Sequence, residues 1–221
     1  MKSISITKSV LLLVLFTVIA CNGNSKNSKE SEAQQATFIK KSTSANVSPD
    51  CLITQNSVGE FKIGQQITLP YKSNTYKIER DEYEENFEGE DYILVDYRVF
   101  ENGKEVLTMR PSYDSNIGGY SNKIFEFSVL SEKFKTKEGI GVNSTIEDFV
   151  KCYPNYKIWL DYMGTTYAIQ RENTDYILFL IDTVDFISDH EINFDESVKL
   201  KPSDFKKGTK IQRIFVPNTE N

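Results

Sequence analysis

The chain is poor in the residues on which many catalytic and metal sites depend. It has 221 residues but a single histidine, His190, with three cysteines and one tryptophan. A hydrolase triad needs a base that an acid orients beside a nucleophile, and no Gly-x-Ser-x-Gly elbow accompanies His190. A zinc site needs further His or Cys ligands, and no second histidine is present. We therefore predict no catalytic residue, metal site or cofactor, and interpret His190 as a surface-loop residue.

Positive charge is also scarce. The chain has 26 Lys and Arg against 32 Asp and Glu, a formal net charge of −6. Binding to nucleic acid requires clusters of cations that face phosphates, and a polybasic patch is what holds a protein on an anionic membrane surface. The composition fits neither class, so we expect no nucleic-acid partner.

The N-terminus carries the most informative pattern in the chain. Lys2 and Lys8 precede an apolar run from Val10 to Ile19, and the small residue Ala20 is followed by Cys21. This order is typical of a secretory signal, and a cysteine after the small residue resembles the bacterial lipobox, in which the thiol is acylated. The run has about half of the roughly 20 apolar residues that span a membrane. The pattern predicts lipidation at Cys21; a plain signal peptide or an uncleaved anchor is the alternative.

Lipidation at Cys21 predicts where the protein lies. Several acyl chains on one cysteine, palmitate among them, hold a protein on a membrane stably, whereas a single chain does not. We expect a protein of the bacterial cell envelope that is anchored through lipid, and Asn22 after the cysteine favours the outer membrane. Removal of residues 1–20 takes away Lys2 and Lys8 but no acid, which changes the formal net charge from −6 to −8.

The composition divides the chain into four parts. Residues 1–20 are predicted to be the lipoprotein signal peptide, and residues 21–49, rich in Ser, Asn, Lys and Thr, a lipidated disordered tether. Residues 50–217 have a suitable size for a single globular domain. Residues 218–221 form a short C-terminal tail.

Two cysteines remain once Cys21 carries lipid. Cys51 and Cys152 would lie in an oxidising compartment, where paired cysteines persist. We predict a disulfide between them, which closes a loop of about 100 residues and is worth up to about 4.7 kcal/mol in the chain-entropy model. The alternative is a reactive thiol at Cys152, next to the cation Lys151.

The pattern of apolar residues predicts mainly β-structure. Asn102-Gly103 separates the strand-like runs Tyr92–Phe100 and Lys104–Met109, and Asn-Gly between such runs is a strong hairpin signal. Five further strands are predicted over Lys123–Val129, Tyr156–Leu160, Thr166–Gln170, Tyr176–Ile181 and Lys210–Val216. The three runs from Tyr156 to Ile181 follow each other closely and predict an antiparallel meander.

One short helix is expected before Pro154. Ser144 and Glu147 fit a capping box, and four apolar residues then recur at helical spacing, namely Ile146, Phe149, Val150 and Tyr153. A helix of two or three turns does not persist alone, so it must pack on a sheet. The predicted fold class is α+β, mainly an antiparallel β-sheet with one short helix packed on it.

Two acidic clusters are candidates for a cation site. The first places eight carboxylates and one arginine, Arg80, between residues 79 and 91, and the second comprises Asp182, Asp185, Asp189, Glu191, Asp195 and Glu196. Calcium takes six to eight oxygen ligands, so either cluster has suitable chemistry, but neither has EF-hand spacing. Blocks of like charge usually extend into water, so we predict that residues 79–91 form a mobile, solvated loop that binds no metal.

The order of these features resembles a family of uncharacterised bacterial envelope lipoproteins, the sigma-E-regulated lipoprotein family of enterobacteria. Six elements carry the resemblance: the lipobox at Cys21, Val58-Gly59-Glu60, Lys123-Ile124 with Val129, the Gly-rich turn and capped helix over Thr136–Phe149, Cys152 after that helix, and the closing strand Lys210–Val216. The resemblance covers about residues 57–216. It implies an envelope location and no known activity.

The sequence favours a non-catalytic domain that binds an envelope protein or a cell-wall component, or that has a structural role. The alternative is a carboxylate-based envelope hydrolase or other enzyme. A deep pocket with convergent Asp or Glu of shifted pKa would favour the enzyme. An apolar surface patch with aromatic residues such as Trp159 would favour the binding domain.

Overall fold

An eight-stranded antiparallel sheet dominates the computed structural model, which describes residues 46–87, 89–161, 165–172, 176–189 and 199–219. In chain order, the elements are β1 (Ile53–Thr54), β2 (Ser57–Val58), β3 (Phe61–Lys62), β4 (Lys77–Phe87), β5 (Glu90–Glu101), β6 (Lys104–Asp114), β7 (Gly119–Val129), α1 (Ile146–Cys152), β8 (Tyr156–Leu160), β9 (Thr166–Arg171), β10 (Leu178–Asp182) and β11 (Ile211–Val216). The large sheet has the order β4-β5-β6-β7-β11-β10-β9-β8, and β1-β2-β3 form a small second sheet. The predicted fold class, mainly antiparallel β with one short helix, is confirmed.

A continuous row of buried apolar side chains crosses the whole large sheet. Cross-strand pairs connect Ile78, Val99, Leu107, Val129, Ile214, Phe179, Ile169 and Ile158 in that order, one residue from each strand. All eight are buried. Because successive residues of a strand point to opposite faces, this row fixes one face of the sheet as the core face. The other face carries polar and partly buried side chains.

The helix packs on the core face, as predicted. The ring centroid of Phe149 on α1 lies 4.8 Å from that of Phe179 on β10, which belongs to the buried row. The cap, however, is one residue later than predicted, because Thr145 accepts the N–H of Asp148 and the Asp148 carboxylate accepts the N–H of Thr145. Ser144 has other partners, since its hydroxyl accepts the Gly141 N–H and its carbonyl the Ile211 N–H.

The hairpins that the sequence predicts are present. Asn102 and Gly103 both have positive φ, 52° and 78°, between β5 and β6. Strands β8, β9 and β10 pair in succession and form the predicted meander. Its predicted turns at residues 163–164 and 173–174 lie outside the described residues.

The acidic stretch 79–91 is not a loop, and that prediction was wrong. Its residues form most of β4 and the start of β5, which pair without interruption from Lys77↔Phe100 to Phe87↔Glu90. A strand distributes successive carboxylates over two faces, so their repulsion is weaker than in a compact loop. Ion pairs also offset part of the charge, as between Arg98 and Asp81, whose charged atoms lie 3.5 Å apart.

All described residues belong to the compact unit that spans residues 42–221. Within the described ranges, α1 is the only α-helix, and no helix is long and apolar enough to cross a membrane. The four-part division of the chain stays a prediction.

Candidate functional site

The predicted disulfide between Cys51 and Cys152 is absent, since both cysteines are free. The carbonyl of Cys51 accepts the N–H of Lys135, whereas the sulfur of Cys152 lies 4.0 Å from the carbonyl oxygen of Glu138. The two cysteines contact different parts of one segment, and the fold does not bring their sulfurs to bonding distance.

The alternative of a reactive thiol at Cys152 gains no support. Burial raises the pKa of this thiol above its usual value, and the charges of Glu138 and Asp148 raise it further. A thiol must be ionised to act as a nucleophile, so Cys152 is a poor one at neutral pH. The predicted lipidation site, Cys21, and the sole histidine, His190, lie outside the described residues.

Two described residues of the second acidic cluster, Asp182 and Asp185, have structural roles. Asp182 accepts the N–H of Val184 and caps a short 3-10 turn. Asp185 forms an ion pair with Lys206, whose nitrogen lies 3.5 Å from its oxygen. Glu191, Asp195 and Glu196 lie outside the described ranges, and within those ranges no three His, Cys, Asp or Glu side chains are grouped so that they could hold a metal ion.

The structure instead shows two hairpin arms that continue beyond the strand pairing between them. Strands β5 and β6 pair from Glu101↔Lys104 to Tyr97↔Met109, where the pairing ends. Beyond that point β5 stays paired with β4, and β6 stays paired with β7. We call residues 80–87 and 89–96 the first arm and residues 110–126 the second arm. Both arms extend from the same end of the sheet.

The arms separate beside a proline for a physical reason. Pro111 lies one residue after Arg110 and is buried. It has no N–H to donate to a neighbouring strand, so it disfavours continued pairing with β5. The register between β6 and β7 also shifts on both sides of Pro111, and such irregularities bend and twist a strand. The sequence thus separates the arms at this point.

A cluster of charged side chains, the Arg110 cluster, joins the two arms at their base. The Nε of Arg110 donates to Asp96 Oδ1 at 2.9 Å, and its Nη1 donates to Glu126 Oε1 at 3.1 Å. Its Nη2 donates to the Tyr83 hydroxyl at 3.1 Å, and that hydroxyl donates to Asp96 Oδ2 at 2.9 Å. One guanidinium therefore connects β4, β5, β6 and β7.

Burial and charge act against each other in this cluster. The side chains of Asp96 and Glu126 are 12% and 17% exposed. Burial alone would lower the pKa of Arg110, but the bond to Asp96 and the nearby carboxylates outweigh it and raise that pKa. Burial raises the pKa of Glu126, although Arg110 opposes this. The pKa of Tyr83 is also raised, by burial and by its bond to Asp96, so Tyr83 stays a hydrogen-bond donor at neutral pH.

The cavity at the Arg110 cluster is small. It has a volume of about 160 Å³ and is also lined by Leu180, Arg213 and Phe215. Pockets for organic ligands usually measure about 300–1,000 Å³. Because both carboxylates already accept hydrogen bonds from Arg110, the cluster is suited to holding the arms in place rather than to transferring protons.

The arms expose large apolar side chains. The described residues include nine large hydrophobic side chains that are well exposed, and five of these lie on the arms: Tyr92, Ile93, Tyr113, Ile117 and Phe125, each between 39% and 66% exposed. The first arm adds exposed carboxylates at Glu82, Glu84, Glu85, Glu90 and Asp91. The arms therefore combine apolar surface with negative charge.

Trp159, the aromatic residue that the sequence suggested for an apolar patch, does not lie on the arms. It is partly buried on β8, an edge strand of the sheet as described, and pairs with Ala168. The predicted strand over Lys104–Met109 stopped one residue before Arg110, so sequence reasoning missed the cluster. A usable signal was present, because Asp96, Arg110 and Glu126 each stand between apolar residues in strand-like runs.

Comparisons with known proteins give no family for this chain. No family model matches it, and no curated protein matches it significantly. Among solved structures, it is similar to the crystal structure of the uncharacterized protein yfeY from Escherichia coli. The similarity has a TM-score of 0.47 and 11% sequence identity, and it covers 76% of this chain and 99% of that chain. This neighbour is an uncharacterised protein of an enterobacterium and provides no activity to compare.

Proposed function

We propose that the protein is a bacterial envelope lipoprotein, anchored through lipid on Cys21, whose domain binds another envelope protein without catalysis. The order of lipobox, Gly-rich turn, capped helix and closing strand supports a relationship to the sigma-E-regulated lipoproteins. The mature N-terminus supports the outer membrane as its location, through Asn22 after the acylated cysteine.

The exposed apolar surface of the two arms is the observation that carries the binding role. Large hydrophobic side chains that are exposed together mark interaction sites, whereas isolated ones are ordinary. Tyr92, Ile93 and Tyr113 are 46%, 60% and 61% exposed on neighbouring hairpins. The Arg110 cluster holds these hairpins together at their base, so the surface is presented by a fixed framework.

The same cluster weighs against the alternative of a carboxylate-based hydrolase. A glycosidase-type pair of carboxylates must have one acid free to give a proton and a second free to act as base or nucleophile. Asp96 and Glu126 both accept bonds from one guanidinium. The neighbouring cavity of about 160 Å³ leaves little room for a substrate.

Site-specific crosslinking in intact cells tests this function. A photo-crosslinking amino acid is placed at Tyr92 or Tyr113 on the arms, and at Tyr176 as the matched control, since Tyr176 is 62% exposed and lies outside them. We expect the same adduct from both arm positions and no such adduct from position 176. Equal labelling from all three positions, or none from the arms, would contradict the proposal.

A further inference from the structure

The separation of the arms leaves two strand edges facing each other. The first arm's β5 is paired on its β4 side and the second arm's β6 on its β7 side. Beyond Tyr97↔Met109, no pairing joins β5 to β6 in the part of the chain that the structure describes. Beyond the Arg110 cluster, their edges over residues 90–95 and 112–114 therefore present backbone N–H and C=O groups without a strand between them.

The unpaired backbone groups of a strand edge determine which kind of molecule can bind there. Free N–H and C=O groups along a strand are a template for another extended polypeptide, which supplies matching groups at the same spacing. A strand between two such edges pairs on both sides, because alternate residues direct their backbone groups to opposite neighbours.

The charge and the apolar surface of the arms indicate which residue types the bound polypeptide should contain. Tyr92 and Ile93 lie on the first edge and Tyr113 on the second, and all three are exposed. Glu84 pairs with Ile93 and Glu85 with Tyr92, so each face of the first arm carries an apolar and an acidic side chain. A segment that carries both apolar and basic residues would cover the exposed apolar side chains and neutralise these carboxylates.

We propose that the arms bind an extended segment of a partner protein, which carries both apolar and basic residues and inserts as a strand between β5 and β6. This inference rests on the proposed function and specifies how that partner is recognised. The acidic first arm disfavours an anionic lipid surface, which it would repel. A second copy of this chain would bring a second acidic arm, so self-pairing of the arms is disfavoured as well.

Backbone-modified peptides test the insertion with the full-length protein in detergent. The probe is a fluorescent ten-residue peptide that alternates Lys and Val. Two further peptides carry N-methyl groups on every Lys residue or on every Val residue, so that each keeps its side chains and charge but loses the N–H groups on one side. We expect each N-methylated peptide to bind at least tenfold more weakly than the probe.

Each other outcome overturns the insertion. Weakening by only one N-methylated peptide would show addition to a single edge. Equal binding of all three peptides would show attraction through charge and side chains alone, and no binding of the probe would show that the edges do not accept this sequence.

Variants of the protein locate the binding. The double substitution Tyr92→Ser and Tyr113→Ser should weaken the probe at least tenfold, whereas the matched control Tyr176→Ser should leave it unchanged. Hydrogen exchange adds a readout that needs no substitution, since the bound probe should slow exchange of amides within residues 90–95 and 112–114. Exchange that is unchanged there would contradict the proposal.

If crosslinking from the arms succeeds but the N-methylated peptides bind normally, the proposed function stands and the strand insertion fails.

Discussion

Arg110 is the residue on which the arrangement of the two arms depends most. It contacts Asp96, Glu126 and Tyr83, which belong to three different strands. Asp96 would be its next cross-strand partner if the β5–β6 pairing continued past Tyr97↔Met109. The guanidinium thus replaces backbone pairing with side-chain bonds at the point where the arms separate.

Removal of this guanidinium should destabilise the protein. Arg110→Met leaves Asp96 and Glu126 partly buried without their cation. Breaking a fully buried ion pair costs about 3–5 kcal/mol, and we expect about 2–3 kcal/mol because the Arg110 side chain is 39% exposed. The measurement is the free energy of unfolding in urea.

Arg98→Met is the matched control for that substitution. Arg98 is 43% exposed and is paired with Glu105. As an ion pair nearer the surface, its loss should lower the free energy of unfolding clearly less than the loss of Arg110. Equal losses for the two variants would show that Arg110 has no special role.

Glu126 should make stability depend on pH. Burial raises its pKa above the ordinary value of 4.5 in the folded protein. As the pH rises from that value toward the raised pKa, the unfolded chain ionises first, so Glu126 increasingly disfavours folding, and above the raised pKa the effect is constant. Glu126→Gln does not titrate. The free energy of unfolding of the wild type minus that of Glu126→Gln should therefore fall with rising pH above about 4.5 and then level off. A difference that grows with pH would show that Arg110 lowers this pKa instead.

At the scale of elements, the turn before α1 joins the helix to the rest of the core. A Cβ atom added to Gly141 would lie 2.5 Å from the carbonyl oxygen of Phe134. The neighbouring Thr136 accepts the N–H of Ile140, and Asn143 donates its N–H to Ile211 on β11. Only glycine permits this close approach of two backbone segments.

Gly141→Ala should therefore destabilise the fold by about 1–3 kcal/mol, as overpacking against a backbone does. Gly119→Ala at the start of β7 is the control, since a Cβ atom there meets nothing within 4 Å. It should change the stability by no more than about 0.5 kcal/mol. Thermal unfolding of both variants measures the difference, and similar losses would contradict the steric argument.

The long acidic strand β4 shows how pairing overrides a local charge pattern. Like charges in sequence favour a solvated loop, but Ile78 anchors β4 in the buried row and the strand pairs with β5 along its length. Charged residues on an edge strand also discourage pairing with other chains. β4 is such an edge in the described sheet.

At the scale of the whole molecule, the acyl chains on Cys21 are expected to set its location. Intact mass of the membrane-extracted protein should give a chain that begins at Cys21 and carries lipid. Cys21→Ser should leave the membrane fraction, because this variant has no thiol at position 21 to carry the lipid. Cys51→Ser is the matched control and should stay in the membrane. An unmodified cysteine in the mass spectrum, or membrane retention of Cys21→Ser, would contradict the prediction.

The sequence by itself determined the features that depend on neighbouring residues. The Asn102-Gly103 turn, the strand over Tyr156–Leu160 and the short helix that includes Phe149 follow from patterns a few residues long. Such patterns report local conformational preference, and here the tertiary structure agrees with them. Even the cap was displaced by only one residue, from Ser144 to Thr145.

Only the tertiary structure decided which distant segments meet. It places β11 between β7 and β10, keeps Cys51 and Cys152 as free thiols, and gathers Asp96, Glu126 and Tyr83 around Arg110. Strand order and side-chain meetings across many residues depend on the total apolar surface that the fold buries, which no short stretch of sequence records. The separation of the two arms is also decided by the tertiary structure. Strands β5 and β6 separate where buried Pro111 and the shifted register between β6 and β7 disfavour further pairing.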